Sequence, residues 1–359
     1  MMEIRASNAH RWMACPGSAA LEPQFPDRSS PVAEEGTAAH HLAAMVLNGV
    51  VGCPEDMVDR QVPNGVIVDP DMAAGVQVYL DALKAVAPFE TWTVEDPIRM
   101  YGNPEREVTP DAWALLADNE LHIFDLKYGW SIVEPRMNWQ LLVYVASILW
   151  GHTGELPSKV HLTICQPRPP HPRGRTRTWS FPTNELSWYM GGIAEGVKAA
   201  QDPDAKVKTG SHCRYCRALG NCPAGRTAAL AAMEISLEGM AESYSPAELA
   251  AELDILDMAE QAVRNRKQAV ESQAVERMKS GESIPGYSVE DAFGREQWCD
   301  GLDLKALGLL YGVELIEEKP ITPAQARKAG VPTDHLSRKI KSGMKLTKCD
   351  VTERAKEIF

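Results

Sequence analysis

Residues 111–127 read DAWALLADNELHIFDLK, and this stretch decides the fold. Two short apolar runs, 111–117 and 121–127, flank a tight Asp118-Asn119 turn, the pattern of a β-hairpin. With Ala117-Asp118-Asn119 as the loop, Leu115 opposes Leu121, Trp113 opposes Ile123, and Asp111 opposes Asp125. Alternation along a strand puts Asp125 and Lys127 on one face. That register therefore gathers two carboxylates and a lysine at one end of the hairpin. Opposed like charges repel, so the pair calls for a cation between them. Oxygen ligands favour a hard divalent ion such as Mg²⁺ or Mn²⁺.

Outward from the hairpin, helices and strands interleave to about residue 200, which predicts an α/β fold. Ser30-Pro31 opens a helix that runs to Gly49, and another covers 71–87. Residues 91–100 read as one strand, 136–151 as an apolar helix, and 159–166 with 175–181 as a strand pair. A helix at 184–201 and a long Ala/Glu-rich helix at 246–280 follow, then short strands and helices to the end. The expected division is an α/β domain over 1–225 that ends in a cysteine cluster, a helical arm over 226–282 and a small basic domain over 283–359.

On the first helix Gly36 and His40 lie one turn apart, so a glycine there would let the helix approach the sheet and carry His40 to the metal. On the 136–151 helix Gln140 and Tyr144 share the same spacing within an apolar surface.

The net charge of −12 argues against nucleic-acid binding for the chain as a whole, but basic residues cluster twice. Residues 167–177 hold Arg168, Arg173, Arg175 and Arg177 with no acid. Residues 319–359 hold ten Lys or Arg against four acids, including Lys339 and Lys341. Both are candidate DNA contacts, acting through phosphates with little sequence information. No apolar run approaches the ~20 residues of a membrane span. The first fifteen residues carry no apolar signal core, which predicts a cytoplasmic protein.

Cys213, Cys216 and Cys222 form a compact ligand cluster, and Cys15 is the best candidate for a fourth ligand. Four thiolates suit either an iron–sulfur cluster or tetrahedral Zn²⁺. Closing a loop of roughly 200 residues would make the group a staple.

Taken in order, Gly36…His40, Asp111, Asp125-Leu126-Lys127 and Gln140…Tyr144 resemble the RecB-like branch of the PD-(D/E)XK nucleases. Residues 8–45, 125–144, the Gln-Pro-Arg at 166–168 and 284–298 also resemble a phage family known only as a domain of unknown function. One departure is Val108-Thr109-Pro110, where the nuclease pattern has a small pair before its Asp. The cysteine spacing resembles the [4Fe–4S] clusters of the AddB nuclease subunit and of CRISPR-associated exonucleases.

The resemblance implies a PD-(D/E)XK core, a mixed sheet flanked by helices, and a metal-dependent exonuclease acting on linear DNA in phage recombination or repair. It implies that His40, Asp111, Asp125 and the Leu126 carbonyl hold the metal, with Glu35 on a second ion. Lys127 would orient or deprotonate the attacking water, and Gln140 and Tyr144 would position Lys127 or the phosphate. A phage strand-annealing protein as partner and the host cytoplasm as location follow from the same resemblance. Two other readings stay open: a DNA-binding recombination scaffold whose catalysis has lapsed, and a site-specific endonuclease.

Overall fold

The structure is a computed structural model that describes residues 2–26, 31–237, 245–298, 302–315, 322–328, 330–333 and 335–348. The chain divides into two compact units, Met1–Lys267 and Gln268–Phe359. That boundary falls inside the long helix.

In the first unit the helices are α1 (Ala9–Ala14), α2 (Ser18–Leu21), α3 (Pro31–Leu47) and α4 (Pro70–Lys84). Strands β1 (Thr93–Val94), β2 (Ile98–Met100), β3 (Asn103–Val108), β4 (Ala112–Leu115) and β5 (Glu120–Leu126) follow. Next come α5 (Trp139–Trp150), β6 (Lys159–Cys165), β7 (Thr176–Pro182), α6 (Leu186–Gln201) and α7 (Pro223–Leu237). Helix α8 (Pro246–Lys279) leads into the second unit. The Ser30 cap expected for α3 lies outside the described residues.

Five strands form the central sheet in the order β1-β4-β5-β6-β7. The β5–β6 pair is parallel and the others antiparallel. The fold is therefore mixed α/β. A parallel neighbour requires a crossover, which α5 supplies. Helix α5 starts where Asn138 Oδ1 accepts the Gln140 and Leu141 N–H groups. The β4–β5 hairpin has the register read from its apolar pairs: Trp113 faces Ile123 and Leu115 faces Leu121. Asn119 takes the left-handed conformation its turn needs, at φ +60°.

Helices cover both faces of the sheet. Leu121, Ile123, Val160, Leu162 and Ile164 pack with the apolar side of α5 and with α6. Ala112, Ala114, Phe124, Leu126 and Cys165 pack with α3 and α4 on the other face. Gly75 of α4 permits the close approach there, because a Cβ would sit 2.9 Å from the Tyr128 ring. Gly36 does not have that role: a Cβ on it would meet nothing within 4 Å.

The single strand expected at 91–100 is instead two, in different sheets. β1 joins the central sheet and β2 pairs with β3. Between them Glu95 turns the chain at φ +49°, and Asp96 precedes Pro97. β3 escapes a periodicity reading because its NPEREV sequence shows no clean alternation.

In the second unit, β8 (Tyr287–Trp298), α9 (Leu304–Tyr311), α10 (Pro323–Lys328) and β9 (Ser337–Lys348) include a two-stranded antiparallel ribbon, β8 with β9. Its strands are twelve residues each rather than short. Lys339 and Lys341 pair by backbone with Glu296 and Phe293. Their side chains, and Cys299 and Cys349 entirely, lie outside the described residues. No described helix is long and apolar enough to cross a membrane.

Candidate metal centre and its surroundings

Strand β5 delivers Asp125 fully buried on the α5 face, and Lys127 follows just past the strand end. Lys127 Nζ is 2.7 Å from Asp125 Oδ2 and donates to Gln140 Oε1 at 3.0 Å. Gln140 Nε2 donates to Asp125 Oδ1 at 2.9 Å and lies 2.9 Å from the Tyr144 hydroxyl. The i,i+4 spacing of Gln140 and Tyr144 thus makes one polar rung on an otherwise apolar helix face. Gln140 acts as a clamp, holding the acid by its nitrogen and the lysine by its oxygen.

Asp111, immediately before β4, accepts the Leu126 N–H on Oδ2 at 2.7 Å and lies 3.3 Å from His40 Nδ1. Glu95 completes this group, 3.9 Å from His40 Nδ1. Ligand atoms of His40, Glu95 and Asp111 all lie within 4.8 Å of one another. The expected ligand set is therefore divided: Asp125 turns toward Lys127 and Gln140, while His40 and Asp111 close on Glu95. Leu126 lines the same cleft as His40, Glu95 and Asp111.

Glu95 was not legible in sequence. Its Coulombic role depends on a left-handed backbone, rare for a non-glycine residue, with its N–H on the Asp111 carbonyl at 3.3 Å. The Glu-Asp-Pro at 95–97 is the available signal, since a turn before proline interrupts the apparent strand. Tyr79 lines the cleft as well, with its buried hydroxyl unpartnered. Glu35 is occupied elsewhere: Arg168 holds it at 2.7 Å.

The electrostatics show too much negative charge for the space. Burial lifts Glu95 to about 7, and the Asp111 carboxylate adds to that. Burial lifts Asp125 to about 6, against the pull of Lys127 and with a further push from Asp111. His40 rises to about 9, because Asp111 outweighs the burial that disfavours its cation. Burial opposes the Lys127 cation too, yet Asp125 and Asp111 raise its pKa. Two carboxylates and one imidazole around the cleft, with Asp125 behind them, are a donor set that fits a hard divalent ion.

Of the arginines expected to touch DNA, Arg177 is corrected. It is 3% exposed and donates to the Val133 carbonyl (2.7 Å), the Gly174 carbonyl (3.1 Å) and Gln166 Oε1 (2.9 Å). A guanidinium spent on buried acceptors cannot reach a phosphate. Arg173 pairs with Glu134 at 2.5 Å, Arg168 lies 3.8 Å over the Tyr128 ring, and Arg175 is exposed.

Gln166, fully buried, pins the loop that follows Lys127. It donates to the Gly129 and Ser131 carbonyls at 3.1 and 2.7 Å and accepts from the Val133 N–H at 3.1 Å. Gln166→Leu leaves these groups without partners. Unmade buried bonds cost roughly 1–3 kcal/mol each, so a loss of about 3 kcal/mol or more is expected. Denaturant unfolding measures it, and wild-type stability would show the loop is held by something else.

Cys15, Cys213, Cys216 and Cys222 line one small cavity together with Arg11, Lys208 and His212. The last three cysteines sit on two successive 3₁₀ turns, Ser211–Tyr215 and Leu219–Asn221, and the residues beside them. Cys15 Sγ accepts the Lys208 N–H at 3.1 Å. Burial pushes the Cys216 thiol up to about 12. A donor set of four sulfurs fits either the iron–sulfur cluster or zinc. The same junction is held by a buried pair, Arg11 with Glu22 at 2.5 Å, and by the Arg217 N–H on Glu22 at 3.1 Å.

The family model described as Protein of unknown function (DUF2800) matches residues 3–329. The chain belongs to this family. The match takes in every residue of the candidate metal centre and the four cavity cysteines. Among solved structures, "Crystal structure of SSO0001" is similar at 13% identity and a TM-score of 0.32, covering 62% of this DUF2800 chain and 85% of that one. A likeness of that size carries no weight for fold or activity.

Proposed function

We propose that this chain is a divalent-metal-dependent deoxyribonuclease with a RecB-like PD-(D/E)XK core, degrading linear DNA from its ends. The observation that carries the reading is the convergence of Asp111, Asp125, Lys127 and Gln140 at one end of the central sheet. His40 and Glu95 close the cleft beside them. His40, Glu95 and Asp111, with Asp125 and the Leu126 carbonyl alongside, would hold Mg²⁺ or Mn²⁺. The ion would supply Lewis acidity at the scissile phosphate.

The chain's own groups have separable tasks. Lys127 Nζ offers a positive charge beside the site where the phosphorane gathers negative charge. Gln140 keeps that ammonium from swinging away by holding both it and Asp125. Tyr144, behind Gln140, fixes the orientation of the amide.

The surface near the cleft suits a nucleic-acid strand. Trp130 and Tyr215 are 62% and 60% exposed, and the Tyr215 hydroxyl meets Ser131 Oγ at 3.0 Å. Trp130 lies three residues beyond Lys127. A base stacked on an aromatic ring contributes about 1–3 kcal/mol, so Trp130→Ala should weaken single-stranded oligonucleotide binding by roughly 5–150-fold. Fluorescence anisotropy in Ca²⁺ reads this, and unchanged affinity would remove Trp130 from the DNA path.

Ion binding should tighten as pH rises. Glu95, at about 7, and His40, at about 9, hold protons that must leave before they can ligate. Mn²⁺ affinity is therefore expected to climb between pH 6 and pH 9. Calorimetry in two buffers would also show proton release, and a flat profile would take both residues out of the ligand set.

The four-cysteine cavity belongs to the same proposal as a [4Fe–4S] site, with Zn²⁺ the alternative. Incubating the anaerobically purified protein with end-labelled linear DNA and Mn²⁺ tests the activity. Progressive loss of linear DNA with circular DNA spared is the expected result. Cleavage of circles would instead indicate an endonuclease, and inert linear DNA a scaffold.

A further inference from the structure

A second cluster of ligating groups lies on the other face of the sheet, away from Asp125. Glu120 and His122 of β5 and His161 of β6 bring one ligand atom each within 4.8 Å of one another. The register is the cause. His122 and His161 are directly opposed in the parallel pair, and Glu120 lies two residues back on the same face. Ser180 of β7 opposes His161 from the far side. His122 and Asp125 are three positions apart, about 10 Å along the strand, and side chains three apart point to opposite faces.

The two imidazole rings stack with centroids 4.3 Å apart and planes 9° from parallel. His161 Nε2 lies 2.7 Å from Glu120 Oε2, and His161 Nδ1 lies 2.8 Å from Ser180 Oγ. A plain Glu120–His161 ion pair accounts for one ring only and gives the nitrogens of His122 no part. Burial and the neighbouring His161 hold His122 below its ordinary pKa. At 2.7 Å the Nε2–H of His161 donates to Glu120, so an entering ion would displace that proton while Nδ1–H turns to donate to Ser180 Oγ. That is how an outer hydroxyl sets the tautomer of a metal-ligating histidine.

We propose that Glu120, His122 and His161 form a second metal site, for a zinc-class ion. Two imidazoles and one carboxylate with an open side make a borderline donor set, which suits Zn²⁺, Ni²⁺ or Co²⁺ over Mg²⁺. Lys159, 3.7 Å from Glu120 Oε1, caps the carboxylate oxygen that faces away from His161. The site is independent of the nuclease reading, since it shares no residue with the Asp111–Asp125 cleft.

Ni²⁺ is the probe, titrated calorimetrically into the full-length, as-isolated protein with Mg²⁺ in excess. One Ni²⁺ per chain is expected above whatever the cysteine site takes. His122→Phe keeps the ring stack and should lose that equivalent, as should Glu120→Gln if the phenylalanine variant does not fold. Ser180→Ala should weaken binding by about 10-fold, the lower range for an outer-shell partner. Asp111→Asn should leave it unchanged. Equal Ni²⁺ binding by wild type and His122→Phe, no Ni²⁺ binding at all, or loss in Asp111→Asn instead would each overturn the proposal.

Discussion

Asp125→Asn is expected to lower Mn²⁺-dependent degradation of linear DNA by about 1,000-fold or more, the scale seen when a preorganised electrostatic group is removed. Lys127→Met should do the same. Each single change also breaks a buried pair, because Asp125 is fully buried and its Oδ2 sits 2.7 Å from Lys127 Nζ. Breaking a fully buried pair costs about 3–5 kcal/mol, and less here because a quarter of the Lys127 side chain stays exposed. A dead single variant could therefore be an unstable one.

The double variant Asp125→Asn with Lys127→Met separates the two effects. It removes both charges together, so stability should return toward wild type while activity stays lost. Thermal unfolding and the end-labelled assay, run on all four proteins, read the two quantities independently. An active double variant would sink the nuclease reading, whatever its stability.

Cys213→Ser is expected to act on the fold rather than the chemistry. Linking residue 15 to residue 213 closes a loop of nearly 200 residues, which removes on the order of 5 kcal/mol of chain entropy from the unfolded state. The variant should lose bound iron, lose any visible absorbance and melt well below wild type. The Arg11 Nε–H on the His212 carbonyl and the Arg217 N–H on Glu22 still hold the two segments together, so a partly folded protein is expected rather than none. Metal analysis and a melting curve on anaerobically purified protein decide it. Wild-type stability with no metal in either protein would show that the cavity is an ordinary packing of thiols. Zinc in place of iron would select the alternative occupant.

Much of the candidate site could be read along the chain because its parts are local. The hairpin register follows from apolar residues matching apolar residues across a three-residue loop, and its extension carries Asp111 opposite Asp125 without further information. Gln140 and Tyr144 are four apart on one helix, and the structure turns Gln140 to Asp125 and the Tyr144 hydroxyl to Gln140. Other residues go where packing rather than spacing directs them. Arg177 sits in a basic loop by composition but is buried beneath it, because its neighbours Val133, Gly174 and Gln166 present acceptors inward. Glu35 stands beside Gly36 in sequence, yet its carboxylate goes to Arg168 on a distant segment.

By itself, then, the sequence determined an alternating α/β order, the pairing of β4 with β5, an acid and a lysine on one strand face, and a compact cysteine group. These rest on periodicity and adjacency, which are written in consecutive residues. Only the tertiary structure decided that Glu95 joins His40 and Asp111, and that Asp125 leans on Gln140. It alone set His122 against His161. Those contacts arise between elements 15 to 70 positions apart, where the direction of a side chain is set by the backbone turn and helix packing around it.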